Sequence, residues 1–261
     1  MSTALRRIVL GALVVYLLFP VVASLVYSFS TNWTALLPEG YTLEHWLKLG
    51  GSERFWVALS RTAILSFSVV ALSVFFLVPT LFVVKLYYPR VAGVLEFLTL
   101  WPFVFPGVIL AVGLIQLYSS PPVVLAQTPF LLIAAVTVIS LPYAYRAVDN
   151  AFAAADVKTL AEAARSLGAD DAKTLLWVIL PTVLPGVLSG GVLAFSAAFG
   201  EFALTQLLIG TAWETLPVYQ VQISGTEGKV SAAITVISFL AAWGLGALAL
   251  SLRRDGKVSV I

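Results

Sequence analysis

The chain has 261 residues, 60% of them hydrophobic and 11% charged, with a mean hydropathy of +1.00 and a net charge of +2. A soluble domain carries roughly 25% charged residues, so composition alone excludes an ordinary water-soluble fold, and the small net charge gives nucleic-acid binding no electrostatic basis. Cysteine is absent and His45 is the only histidine, which excludes disulfides, thiolate metal sites and multi-histidine metal centres.

A bilayer-spanning helix needs roughly 20 mostly apolar residues. Six segments qualify: residues 8–27, 62–84, 98–118, 130–145, 183–209 and 230–252. The expected fold is therefore all-α, a polytopic membrane bundle of six helices in a single domain over 1–261. The first segment follows Arg6 and Arg7. Its apolar run exceeds the roughly 7–15 residues of a signal-peptide core and no small-x-small cleavage site follows, so it reads as a retained helix.

Between the first two spans, residues 31–54 form a polar stretch with Pro38, Gly40, Gly50 and Gly51 at its turns. His45 lies there beside Glu44 and Trp46 and reads as a solvated loop histidine. Arg61 and Glu96 stand near span ends and read as side chains snorkelling to the interface. Pro102 and Pro106 are expected to break the third helix. A short connection at 119–128 holds Pro121 and Pro122, whereas the fourth and fifth spans are joined by a long stretch, 146–182.

In the fifth span, Gly186-x-x-x-Gly190 with Gly191 allows close helix contact. Glu201 is the one acidic residue well inside a span, and burying a carboxylate there is costly enough to imply a role. Two readings stand. Glu201, with Gly200 and Gln206 beside it, lines a translocation path; or it is structural, capping backbone groups freed near Gly200 or pairing with Gln206. Trp33, Trp56, Tyr87, Tyr88 and Trp213 fit the aromatic belt of a membrane protein.

Lys and Arg set the orientation. Arg6, Arg7, Lys85, Arg90, Arg146, Lys158, Arg165, Lys173, Arg253, Arg254 and Lys257 fall on one side, and Lys48, Arg54, Arg61 and Lys229 on or near the other. Both termini and the stretch 146–182 are thus expected on the cytoplasmic side.

That stretch contains a short helix over 158–168. Thr159 and Glu162 have capping-box spacing, Leu160, Ala163, Ala164 and Leu167 form a small apolar face, and Gly168 stands where a left-handed cap belongs. A second helix is expected to start at Asp170 and Asp171 and to run through Leu175, Leu176 and Ile179 until Pro181 interrupts it. A helix this short suits docking in a partner's groove. Lying on lipid headgroups is the alternative, weakened by few basic residues and no bulky aromatics on that face.

Glu162-Ala163-Ala164, then Gly168, then Val178-Ile179-Leu180-Pro181 resembles the EAA loop of bacterial and archaeal ABC importer permeases, departing from it only at Val178, where the pattern has Ile. Pro102 and Pro106, Leu141-Pro142 and Phe199-Gly200-Glu201-Phe202 also look like family features, so the resemblance spans most of the chain. It implies a type I importer permease in the cytoplasmic (inner) membrane, with five core helices over 62–252 after a peripheral first one. It implies that the EAA helix couples to a separate ATP-binding subunit, with Glu162 and Gly168 central to the contact and Leu160, Ala163, Ala164 and Leu167 around them. The implied partners are two ATP-binding cassette subunits, a second permease subunit and an extracytoplasmic binding protein.

ATP and Mg would then belong to the partners, and this chain would bind no cofactor. Residues 225–230 contain Gly-Lys but lack Walker A spacing, so the chain is not expected to be an ATPase. The stretches 199–202 and 216–219 look most like permeases for polyamines, opines, phosphonates or ferric ion; oxyanions and then sugars come after. An ATP-independent carrier or channel would not need the EAA loop, and an intramembrane enzyme would need a catalytic partner for Glu201 that the sequence does not offer.

Overall fold

The computed structural model describes residues 3–34 and 37–255. Lys257, counted among the cytoplasmic cations, lies outside them, as do the side chains of Arg253 and Arg254. Two compact units divide the chain, one running up to Ser60 and taking in Thr215–Ala241, the other comprising Arg61–Glu214 and the chain from Ala242 onward.

In the first unit, α1 (Thr3–Phe29) leads into a two-stranded ribbon of β1 (Ser30–Asn32) and β2 (Glu39–Tyr41), antiparallel, with Ser30 opposite Tyr41 and Asn32 opposite Glu39. The ribbon is a small local addition to a fold that is otherwise all-α as expected; strands this short leave no hydropathy signal. Gly40, in the middle of β2, has φ +80°, a conformation that suits a residue without Cβ. Helix α2 (Glu44–Gly50) follows, and Trp46 stacks on Phe29 at 5.2 Å while its Nε1 donates to Ser28 Oγ at 3.1 Å. His45 is therefore not a loop residue: it sits half-buried on α2, its Nε2 3.3 Å from the Ser30 carbonyl. The unit also holds the start of α3 (Glu53–Tyr87), α11 (Leu216–Ser224) and the first half of α12 (Gly228–Asp255), and Lys48 reaches Glu227 at 3.0 Å.

The second unit carries most of α3, then α4 (Ala92–Leu100), α5 (Gly107–Tyr118), α6 (Pro129–Ala154), α7 (Val157–Ser166), α8 (Asp171–Lys173), α9 (Leu180–Phe199) and α10 (Ala203–Leu208). Its seam is α6 against α9. A Cβ on Gly186 would stand 2.2 Å from Ala151 Cβ, and one on Gly190 would stand 3.0 Å from the Ala144 carbonyl. Glycines here let two backbones approach, which is how membrane helices gain dispersion contact without a hydrophobic drive between them. Leu65, Leu132, Val148 and Phe152 fill the space around the seam.

Among the described residues, Leu5–Phe29, Glu53–Tyr87, Pro129–Ala154, Asp171–Phe199 and Gly228–Ser251 are long and apolar enough to cross a membrane unbroken. Pro89–Phe103 and Gly107–Tyr118 are long and apolar enough only together, as a pair bent by 97° that is either one broken span or a re-entrant loop. The break expected at Pro102 and Pro106 is a tight turn at Trp101–Phe103, with Pro106 extended at ψ 134° before α5. The prolines remove ladder donors there. The fifth span is corrected: it stops at Phe199, not 209, and the chain turns before α10 begins at Ala203. Pro181, expected to interrupt a helix, does not; a π-helical stretch, Thr174–Ile179, carries Asp171–Phe199 through as one span. Its wider turn, with Leu180 N–H bonded to the Leu175 carbonyl, is one way a helix absorbs a local irregularity.

Candidate functional site

Two places concentrate the expected functional residues, both within the second unit. The first is α7 with its flanks. Asp156 precedes the helix in a left-handed conformation, φ +44°, and its Oδ2 accepts from Thr159 Oγ1 at 2.7 Å. The expected capping box is therefore not formed: Thr159 is committed to Asp156, and Glu162 lies exposed on the helix surface. The helix is amphipathic in a way that splits the expected face. Val157, Ala161 and Ala164 are buried with Leu160 half-buried, whereas Ala163 and Leu167 are exposed, Leu167 at 90%. The i, i+4, i+7 spacing of the buried set is the inward stripe of a surface helix.

Gly168 closes the helix as expected. Its φ is +84°, its N–H bonds the Arg165 carbonyl at 2.9 Å, and Ala169 N–H bonds the Ala164 carbonyl at 3.1 Å. That hydrogen-bond pair is the Schellman arrangement. Nothing lies within 4 Å of a Cβ built on Gly168, so the glycine is demanded by backbone conformation and not by crowding. Asp170 caps the next helix, accepting from Lys173 N–H at 2.8 Å. That backbone amide, ahead of the Lys173 side chain, holds the Asp170 carboxyl below its ordinary value.

Sequence reading missed what anchors α7. Arg165 Nη2 donates to Tyr87 Oη at 2.5 Å and lies 3.1 Å from Asp171 Oδ1, with its guanidinium 5.1 Å from the Tyr87 ring centroid. Tyr87 Oη–H donates in turn to Asp171 Oδ2 at 2.5 Å. One cation thus ties the end of α7 to the ends of α3 and α8. Tyr87 was read as an aromatic-belt residue, and no local pattern links positions 87, 165 and 171. Nearby ion pairs brace the same unit: Lys85 with Asp149 at 2.6 Å and Arg146 with Glu96 at 2.8 Å. Glu96 is therefore paired within the protein, which the interface-anchor reading did not foresee.

The second place is the break after α9. Gly200 caps α9, and Glu201 stands between α9 and α10 instead of inside a continuous helix. Its Oε1 accepts from Leu204 N–H at 2.7 Å, and its carbonyl accepts from Thr205 Oγ1 at 3.2 Å. The capping half of the structural reading is thus present in the geometry. Gln206 is exposed, with its N–H on the Phe202 carbonyl; the Glu201 carboxylate turns to backbone amides and not to it. Glu201 also borders a cavity of about 330 Å³ together with Phe103, Phe105, Ser140 and Tyr143. Residues at both helix breaks border this cavity, Pro102, Phe103 and Phe105 at one and Glu201 and Ala203 at the other. Among the described residues no group of three or more His, Asp or Glu could hold a metal ion.

No family model matches the chain. It is 26% identical over 229 residues to PhnV of Salmonella typhimurium, a permease protein assigned to a 2-aminoethylphosphonate transport system, covering 86% of this chain and 84% of that one. It is 27% identical over 241 residues to the spermidine/putrescine transport system permease protein PotC of Escherichia coli K12, covering 90% and 89%. Among solved structures, a subunit of a bacterial ABC transporter for import of the acidic polysaccharide alginate superposes with a TM-score of 0.72 at 18% identity, over 96% of this chain and 98% of that one. The chain is a relative of ABC-importer permeases and shares their fold. A subunit of the MetNI methionine ABC transporter superposes less completely, with a TM-score of 0.57 at 20% identity over 77% of this chain and 93% of that one.

Proposed function

We propose that this permease forms half of a solute pathway and that α7 is its contact with an ATP-hydrolysing partner. The observation that carries the reading is the construction of α7. Its inner stripe is buried, its end is tied by Arg165 to Tyr87 and Asp171, and it holds Glu162, Ala163 and Leu167 outward beside the Gly168 turn. A helix held this firmly, with a large apolar side chain left exposed at its tip, suits a groove on a second protein. A docked partner that moves α7 would move the helix bundle behind it, as alternating access requires.

In this reading ATP and Mg sit on two partner ATP-binding subunits, and this chain, without a Walker A loop at 225–230, hydrolyses nothing. A second permease subunit completes the pathway and an extracytoplasmic binding protein delivers the solute. The membrane is the bacterial or archaeal cytoplasmic membrane, with α7 and both termini inside. The solute is small and of the polyamine, phosphonate or ferric-ion kind, in keeping with the systems to which PhnV and PotC belong.

Glu162→Ala and Gly168→Val test the coupling. Each is expected to abolish most ATP-driven uptake while the permease still inserts and accumulates in membranes. Uptake unchanged in both would sink the assignment. Purification as a homo-oligomer without any ATPase would point to an ATP-independent carrier.

A further inference from the structure

We infer that the cavity at the break in the fifth span is a substrate subsite that holds a solute by a primary ammonium group. The inference deepens the permease reading and rests on it. Glu201 supplies the charge, and its bond from Leu204 N–H fixes the carboxylate in place. A carboxylate offers about four lone-pair sites, so capping a short helix does not exhaust it.

Three aromatic side chains border the same cavity, Phe103, Phe105 and Tyr143, and the first and last meet edge to face with centroids 5.1 Å apart. Ring faces and a carboxylate attract the same kind of ligand, a compact cation. Ser140 is the independent observation. It borders the cavity, is fully buried, and its Oγ has no hydrogen-bond partner. A hydroxyl within a helix ordinarily turns to the carbonyl a turn earlier, and an orphaned buried polar group carries a cost that calls for an explanation.

Charge decides among ligand classes. Among the described residues no Lys, Arg or His borders the cavity, so an oxyanion alone would face a carboxylate with nothing to balance it. A neutral sugar gives no reason to keep that carboxylate in a membrane protein's interior. A bare metal ion needs several oxygen ligands, and one carboxylate falls short. An ammonium has three donors, enough to meet a carboxylate, the Ser140 hydroxyl and a ring face together. About 330 Å³ is at the small end for a ligand site and fits a short solute.

The test uses the full chain with whatever subunits co-purify, in lipid nanodiscs, titrated with 1,4-diaminobutane and separately with inorganic phosphate. Glu201→Gln keeps the Oε1 acceptor for the α10 cap and removes the charge; Ser140→Ala removes only the orphan hydroxyl. The expected result is saturable diamine binding, weakened at least about tenfold by Glu201→Gln because a charge-assisted bond becomes a neutral one. A smaller weakening is expected from Ser140→Ala. Absence of diamine binding by the wild-type chain overturns the subsite, as does diamine binding indifferent to both variants or phosphate binding tighter than the diamine. Should Glu201→Gln fail to fold, the wild-type and Ser140→Ala titrations decide. Co-purified ATPase is read separately: diamine binding through Glu201 without an ATPase would overturn the permease reading and leave the subsite standing.

Discussion

Helices α1 and α6 both read as spans, yet they are built oppositely. The most apolar 18-residue window of α1 has a hydropathy of 2.6 and none of it is buried, whereas that of α6 has 1.7 with 56% buried. The more hydrophobic helix is the less packed one. Lipid is as apolar as leucine, so a helix gains nothing by hiding leucines from it. Burial in a membrane protein goes instead to small and hydrogen-bonding residues that allow close contact, such as Ala144 and Ala151 on α6 against Gly190 and Gly186 on α9.

Matched substitutions sharpen the contrast, and the seam should give the largest effect. Gly186→Leu drives a side chain into Ala151, where even a Cβ would be at 2.2 Å. Thermal unfolding of the purified protein should show a loss of about 3 kcal/mol or more, or no folded protein. Gly11→Leu on α1, with nothing within 4 Å of its Cβ, should leave the transition in place. Equal losses from the two would erase the distinction.

Phe152→Ala comes next. Phe152 is 2% exposed and Phe19 on α1 is 68% exposed. Removing the first should cost about 3 kcal/mol through the cavity left behind; removing the second should fall within about 0.5 kcal/mol. Chemical denaturation in a fixed detergent would read both.

Arg165→Ala separates stability from coupling. Its partners are at least partly exposed, so its contribution to stability is small, about 0–1 kcal/mol. The ratio of ATP hydrolysed to solute moved should nevertheless rise, because α7 loses its tie to Tyr87 and Asp171. An unchanged ratio would make the cluster ornamental to transport.

The smallest effect concerns pH. The Asp170 carboxyl is held below its ordinary value by the Lys173 amide, so its folded form favours the ionised state. That contribution is complete above the ordinary carboxylate range and is lost as pH falls through the lowered value. Asp170→Asn should flatten that acid limb slightly in a thermal-stability series, and an identical limb in both proteins would assign it elsewhere.

Much of this was legible from residues alone. Hydropathy located five helices long and apolar enough to cross a membrane, since twenty apolar residues in a row are a local property. Gly168 as a left-handed cap and Asp170 as a helix start were readable because caps depend on neighbours a few positions away. The break at Pro102 and Pro106 was foreseen for the same reason. The stop at Phe199 was not, because Gly200-Glu201-Phe202 contains no residue that must end a helix, and Glu201 capping Leu204 becomes visible only once the chain has turned. Thr159 and Glu162 had the spacing of a capping box, but Asp156 in a left-handed conformation took the hydroxyl.

What the sequence by itself determined is membership of the bilayer, the helix content, and a short loop helix with a defined stop, because each follows from composition or from contacts within about one turn. Tertiary structure alone decided which face of α7 is outward, that Tyr87, Arg165 and Asp171 meet, and that Glu201, Ser140 and Tyr143 border one cavity. Those are encounters between residues far apart along the chain. They depend on how helices cross and where they bend, and no periodicity along a single helix records either.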